Sequence, residues 1–298
     1  MMQSSDPAAD VRALAQELSF GAAETPNAES RGRIIAVASG KGGVGKSSLV
    51  VNLAVALAAM GERITIVDAD LGTADVDVML GLHPIYNLAH VIEGSKTLNE
   101  VILEGRHNVR LLPGSSGIWE LANLSARGRE AATDVLSALA QDSDYVIVDT
   151  AAGISDNVIQ FLLAADDVVV LTTPEPTAIT DVYALIKVAL AQKVRGPIRL
   201  VVNLATTSQA AEDVARNLAG VVERFLGGNI EFLGSLPTDP SVGRSVLRQE
   251  PVIVAYPSSP AARRIIALAQ ALRRDAPALA RQARTAPAPI PGETKEGA

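Results

Sequence analysis

The sequence predicts an α/β fold, with a mostly parallel central β-sheet flanked by helices on both faces. Three observations lead there. Short continuous apolar runs such as Ile34–Ala38 have the length and lack of alternation of strands buried on both sides. Amphipathic stretches of about 10–20 residues separate most of these runs, as crossover helices between parallel strands require. A glycine-rich segment, residues 40–47, joins the first apolar run directly to the first such stretch.

In chain order, Asp6 reads as an N-cap with Pro7 at the first helical position. Val11, Leu14 and Leu18 recur at helical spacing, so a short helix is expected within residues 1–18. Residues 19–32 are small and polar and read as a linker. From Arg33 the pattern is that of one folded domain, expected over 33–275. Strands are expected at Ile34–Ala38, Ile64–Val67, Tyr145–Val148, Val168–Leu171, Leu200–Val202 and Ile230–Leu236, with a weaker one at Val109–Leu112. Helices are expected at Ser47–Met60, Ala126–Ala140, Ala178–Lys193 and Gln209–Phe225. In Ala261–Arg274, Ile265, Ile266, Leu268 and Leu272 face arginines at 263, 264, 273 and 274. Such a helix either packs last on the sheet or rests on an anionic membrane. The tail, residues 276–298, is rich in Pro, Gly and charge and is expected to be disordered.

Composition removes whole classes of chemistry. With 26 Lys+Arg against 33 Asp+Glu the formal net charge is −7, which argues against nonspecific coating of nucleic acid. There is no cysteine, which excludes disulfide scaffolds, thiol nucleophiles and cysteine-held zinc or iron–sulfur clusters. His83, His90 and His107 match no metal-ligand spacing. No apolar run reaches the roughly 18 residues of a membrane-spanning helix, and the N-terminus lacks a secretory pattern. A soluble cytoplasmic protein is expected.

The chemistry concentrates at strand ends. Gly40-Lys41-Gly42-Gly43-Val44-Gly45-Lys46-Ser47, continued by Ser48, fits G-x-x-x-x-G-K-[ST] between a strand and a helix. Glycines let consecutive N–H groups turn inward around a phosphate, and the helix aims its positive end at the same anion. Lys46 is expected to reach the β- and γ-phosphates of a nucleoside triphosphate, and the Ser47 hydroxyl to ligate Mg²⁺. Asp68 and Asp70 follow the second strand on one side of the chain. One can orient Mg²⁺ waters and the other the attacking water. Asp149 ends the strand Tyr145–Val148, where a carboxylate contacts Mg²⁺ through water. Asn203 and Pro237-Thr238-Asp239 also end strands, and read either as turn residues or as contacts to a base.

With the second lysine, Lys41, the loop resembles that of the deviant Walker A ATPases of the MinD/ParA group. The resemblance implies a P-loop NTPase fold, ATP and Mg²⁺ as cofactors, and an ATP-dependent homodimer. Lys41 would cross the dimer interface to the partner's nucleotide and join Lys46 and Asp70 in catalysis. Asp70 would be the water-orienting switch I residue and Asp68 a support of the metal shell. Gly153 would be the switch II glycine, Ala151 standing where relatives often carry another glycine. Asn203, Pro237 and Asp239 would contact adenine. The runs Asp70–Asp77, Leu80–Leu88, Leu112–Gly117 and Thr172–Ala184 are similar to the flagellar-number regulators of the FlhG/FleN branch. That branch implies partners among the GTPase FlhF, flagellar switch proteins and a flagellar master transcription activator. Asp6–Arg12 is similar to the branch's FlhF-stimulating D-Q-A-x-x-L-R element, with Pro for Gln and Val for Leu. A membrane contact would be peripheral, at the inner face, and would need the ATP dimer or a partner. Direct nucleic-acid binding is not favoured. The alternative function is a positioning ATPase for cell division or DNA partition.

Overall fold

The computed structural model describes residues 31–70, 75–114 and 126–274. The helix expected within 1–18, nearly all of the linker and the tail 276–298 lie outside the described residues. The strands are β1 (Arg33–Ser39), β2 (Ile64–Ala69), β3 (Leu103–Glu104), β4 (Val109–Leu112), β5 (Tyr145–Ala152), β6 (Asp167–Thr172), β7 (Ile198–Ala205) and β8 (Glu231–Pro237). They form one sheet in the order β3-β4-β2-β5-β1-β6-β7-β8. Every pairing is parallel except β3 with β4. All seven strands expected from the sequence are present; the two-residue β3 is too short to leave a pattern.

The helices alternate with the strands. After β1 comes α1 (Lys46–Ala59), and after β2 come the short α2 (Val76–Leu80), α3 (Leu88–Ile92) and α4 (Leu98–Val101). Then follow α5 (Ala126–Asp142), α6 (Asp156–Ala164), α7 (Pro176–Ala191), α8 (Ser208–Leu226), α9 (Pro240–Leu247), α10 (Val252–Ala255) and α11 (Pro260–Arg274). The pleat of β1 shows how two cores arise from one apolar run. Ile34, Ala36 and Ala38 face the core under α5 to α8, whereas Ile35 and Val37 face the core under α1 and α11. α1 is apolar nearly all round because the sheet lies on one side and α11 on the other. Its polar Asn52 is satisfied, donating to Ser48 O and accepting from Ile253 N.

The C-terminal helix resolves its two alternatives. In α11, Ile265, Ile266, Leu268, Ala269 and Leu272 are buried against α1 and β8, so no apolar stripe is left for a membrane. Arg273 bonds Glu62 at 2.6 Å. No helix among the described residues is long and apolar enough to cross a membrane. Because the strand order turns back at β1, the crevice above its carboxyl end is where a ligand of an open α/β sheet binds.

Candidate nucleotide-binding site

That crevice holds the glycine-rich loop. Gly43 (φ +78°) and Gly45 (φ +93°) occupy left-handed backbone that only glycine adopts without strain. A Cβ on Gly42 or Gly43 would meet nothing within 4 Å, so the cradle they outline is open. Gly40 is required for a different reason: its Cβ would sit 2.2 Å from the Asp181 backbone in α7. Val44 is buried and anchors the loop from below.

Lys46 opens α1 and lies almost buried, with Nζ 2.5 Å from Asp149 Oδ1. Asp149 is in register with Asp68 across β5 and β2, so the two carboxylates share one side of the sheet. Burial pushes the Asp149 carboxyl up, while the Lys46 charge and the Ser47 hydroxyl pull it back and Asp70 adds to the rise. Asp68 is pushed well up, first by burial and then by Asp149. One lysine therefore faces several acids. Asp149 Oδ2 is buried with no hydrogen-bond partner among the described residues. A buried, unsatisfied carboxylate oxygen beside Ser47 fits a divalent cation, and Mg²⁺ takes few protein ligands and keeps its waters.

The other expected site residues have more specific positions than the sequence revealed. Asp68 uses both oxygens on backbone, accepting from Asp70 N at 3.1 Å and Val76 N at 3.3 Å. It thereby ties down both ends of the segment holding Asp70, whose residues 71–74 are outside the described set. Gly153 (φ +94°) donates its N–H to Ser39 O at 2.8 Å, which keeps the end of β5 against the start of the loop. Ser48 faces α2 and α9 beside Met79 and Ser245.

At the base-side positions the side chains are engaged within the chain. Asn203 donates to Val44 O at 2.8 Å and accepts from Leu204 N at 2.8 Å, bracing the loop. Asp239 caps two helices, accepting from Ser241 N in α9 and Ala261 N in α11. Burial works against its charge, but these N–H donors outweigh it and hold its carboxyl below the usual range. Pro237 instead lines an open cleft of about 780 Å³ with Thr206 and Ser258. Sequence reasoning missed the partners of Lys41, whose Nζ lies 3.1 Å from Glu175 and 3.4 Å from Thr177. The signal for them was the T-T-P-E-P-T run closing β6.

Comparison with known proteins agrees with this geometry. A ParA family model, described as the NUBPL iron-transfer P-loop NTPase, matches residues 31–273. The sequence has no cysteine, so the iron chemistry of that description finds no thiolate ligand in it. The antiactivator FleN of Pseudomonas aeruginosa is 42% identical over 238 residues, 80% of this chain and 85% of that protein. The flagellum site-determining protein YlxH of Helicobacter pylori is 36% identical over 221 residues, 72% of each. Among solved structures, the septum site-determining protein MinD of Pyrococcus horikoshii, complexed with Mg-ADP, superposes with a TM-score of 0.68. It is 27% identical, and the match covers 80% of this chain and 95% of that one. The chain belongs to the ParA/MinD family of P-loop NTPases.

Proposed function

We propose that this chain is an ATP-hydrolysing dimerisation switch that regulates flagellar number or placement. The observation that carries the chemistry is the buried Lys46–Asp149 pair beside an open glycine cradle, with one carboxylate oxygen left unsatisfied. The similarity to FleN and YlxH carries the biology.

Residues 40–48 hold the phosphates through backbone N–H groups and the positive end of α1. Lys46 moves from Asp149 to the β- and γ-phosphates, which exchanges one anion for another within reach of the same ammonium. Ser47 and Asp149 hold Mg²⁺, with Asp68 supporting that shell by fixing the Asp70 segment. When bound, Mg²⁺ neutralises phosphate charge and orients the oxygens of the transferred group. Asp70 orients the attacking water, and Gly153 carries the γ-phosphate state into the segment after β5. Lys41 completes the partner's site, so two protomers close face to face on ATP and separate after hydrolysis. Pro237 borders the adenine, with Asn203 and Asp239 shaping that wall. ATP-dependent closure changes the surface offered to FlhF, flagellar switch proteins or a master transcription activator. The protein works in the cytoplasm, with any membrane contact peripheral.

The deciding experiment is flagella per cell by electron microscopy in a deletion strain, scored together with cell division and DNA content. Extra or misplaced flagella with normal division is the expected result. Normal flagella with minicells or anucleate cells would overturn the flagellar assignment in favour of a division or partition role.

A further inference from the structure

The close packing of Gly40 on α7 delivers Lys41 to that helix's first turn. There its ammonium donates to Glu175 Oε2 at 3.1 Å and reaches Thr177 Oγ1 at 3.4 Å. Glu175 is the N-cap residue of α7 but makes no side-chain cap. Its carboxylate is thus available for a charge on the neighbouring loop. Both residues belong to the run Thr172–Asp181, which nucleotide binding otherwise leaves without a task.

We infer that Glu175, assisted by Thr177, is a positioning residue that holds Lys41 on its own protomer and sets the protein concentration at which ATP-bound chains pair. The inference rests on the reading above, in which Lys41 serves the partner's nucleotide. To do so the ammonium leaves Glu175 and takes the partner's phosphates instead. The pair is weak by design of its surroundings, since the two side chains are 42% and 64% exposed. An exposed pair of this kind shifts an equilibrium by about 1.4- to 5-fold. Two such pairs are broken per dimer, so the pairing threshold moves by the product, about 2- to 30-fold. That is a tuning device, large enough to matter near the working concentration and too small to lock the monomer.

Sedimentation of the full chain across a concentration series in Mg-ATP tests this, with Glu175→Gln, Glu175→Asp, Thr177→Val and Lys41→Ala beside the parent. Glu175→Gln is expected to lower the half-dimerisation concentration about 2- to 30-fold. Its melting temperature and its monomer affinity for ATP stay those of the parent. Glu175→Asp restores the parent threshold, and Thr177→Val shifts it the same way by less. In the ATP-free chain, an amine-reactive ester followed by mass spectrometry labels Lys41 faster in Glu175→Gln. A Glu175→Gln chain that pairs at the parent concentration or above overturns the inference. If Lys41→Ala then still fails to pair, the ATP-dimer reading stands without it. Lys41→Ala pairing and hydrolysing like the parent would overturn both.

Discussion

The two rims of the sheet use the same residue types to opposite ends. At the amino-end rim, Asp167 is fully buried against Arg33 and Arg199, and Arg199 also reaches Glu231. Arg31 bonds Asp166 at 2.7 Å and Arg63 bonds Asp144 at 3.1 Å along the same rim. At the carboxyl-end rim, Asp149 is equally buried but has one lysine and two neighbouring acids, Asp68 and Asp70. Burial raises both carboxyls. What differs is whether the chain itself completes the charge. Where two guanidinium groups meet one carboxylate the arrangement is closed and holds strands together. Where positive charge is deficient and glycines leave space, the arrangement is finished by a ligand.

Five substitutions, four of them at or beside the two rims, test that contrast. Lys46→Ala removes the cation shared by Asp149 and the phosphates. ATP affinity is expected to fall at least about 100-fold by calorimetric titration; retained micromolar binding would contradict the phosphate assignment. Asp167→Ala removes the buried carboxylate that Arg33 and Arg199 share, leaving Arg199 only the exposed Glu231. It is expected to cost about 3–5 kcal/mol in urea unfolding while sparing ATP affinity in the folded protein. Gly43→Ala is expected to cost about 1–2 kcal/mol, the strain of a left-handed backbone alone, since its Cβ meets open space. Gly40→Ala should cost more in the same measurement, because its Cβ collides with the backbone of α7. The smallest effect lies on neither rim. Hydrogen bonds from the Thr97 N–H and hydroxyl and from Lys96 lower the Glu100 carboxyl to about 2. A lowered carboxyl stabilises the fold above its unfolded value, and the gain is lost as pH falls from about 4.5 towards about 2. Glu100→Gln should remove this slight slope from acid unfolding curves.

Much of this was legible in the sequence, for a physical reason. Parallel strands buried on both faces must be continuously apolar, so β1, β2, β5, β6 and β7 announce themselves, and the residues that end them fall on one rim. The glycine loop, Asp68, Asp70 and Asp149 fall at that rim because they follow or end such runs. Side-chain partners were not legible, because they depend on contacts distant in sequence. Asn203 meets Val44 only because β7 and the loop end on the same rim. Asp239 caps α11 from a position 22 residues earlier in the chain than Ala261. Nor does an arginine or aspartate at the head of a strand say that Arg33, Asp167 and Arg199 will converge. The helices α2 to α4 are four or five residues long and carry too few positions for a period to show.

The incomplete carboxyl rim is read as a Mg-ATP site built on Asp149. That site is tested most directly by titrating ATP into the parent and Asp149→Asn chains, with Mg²⁺ and with a chelator. Mg²⁺ is expected to strengthen binding to the parent and to have little effect on Asp149→Asn, with both chains folded by circular dichroism. Equal strengthening by Mg²⁺ in both would contradict it.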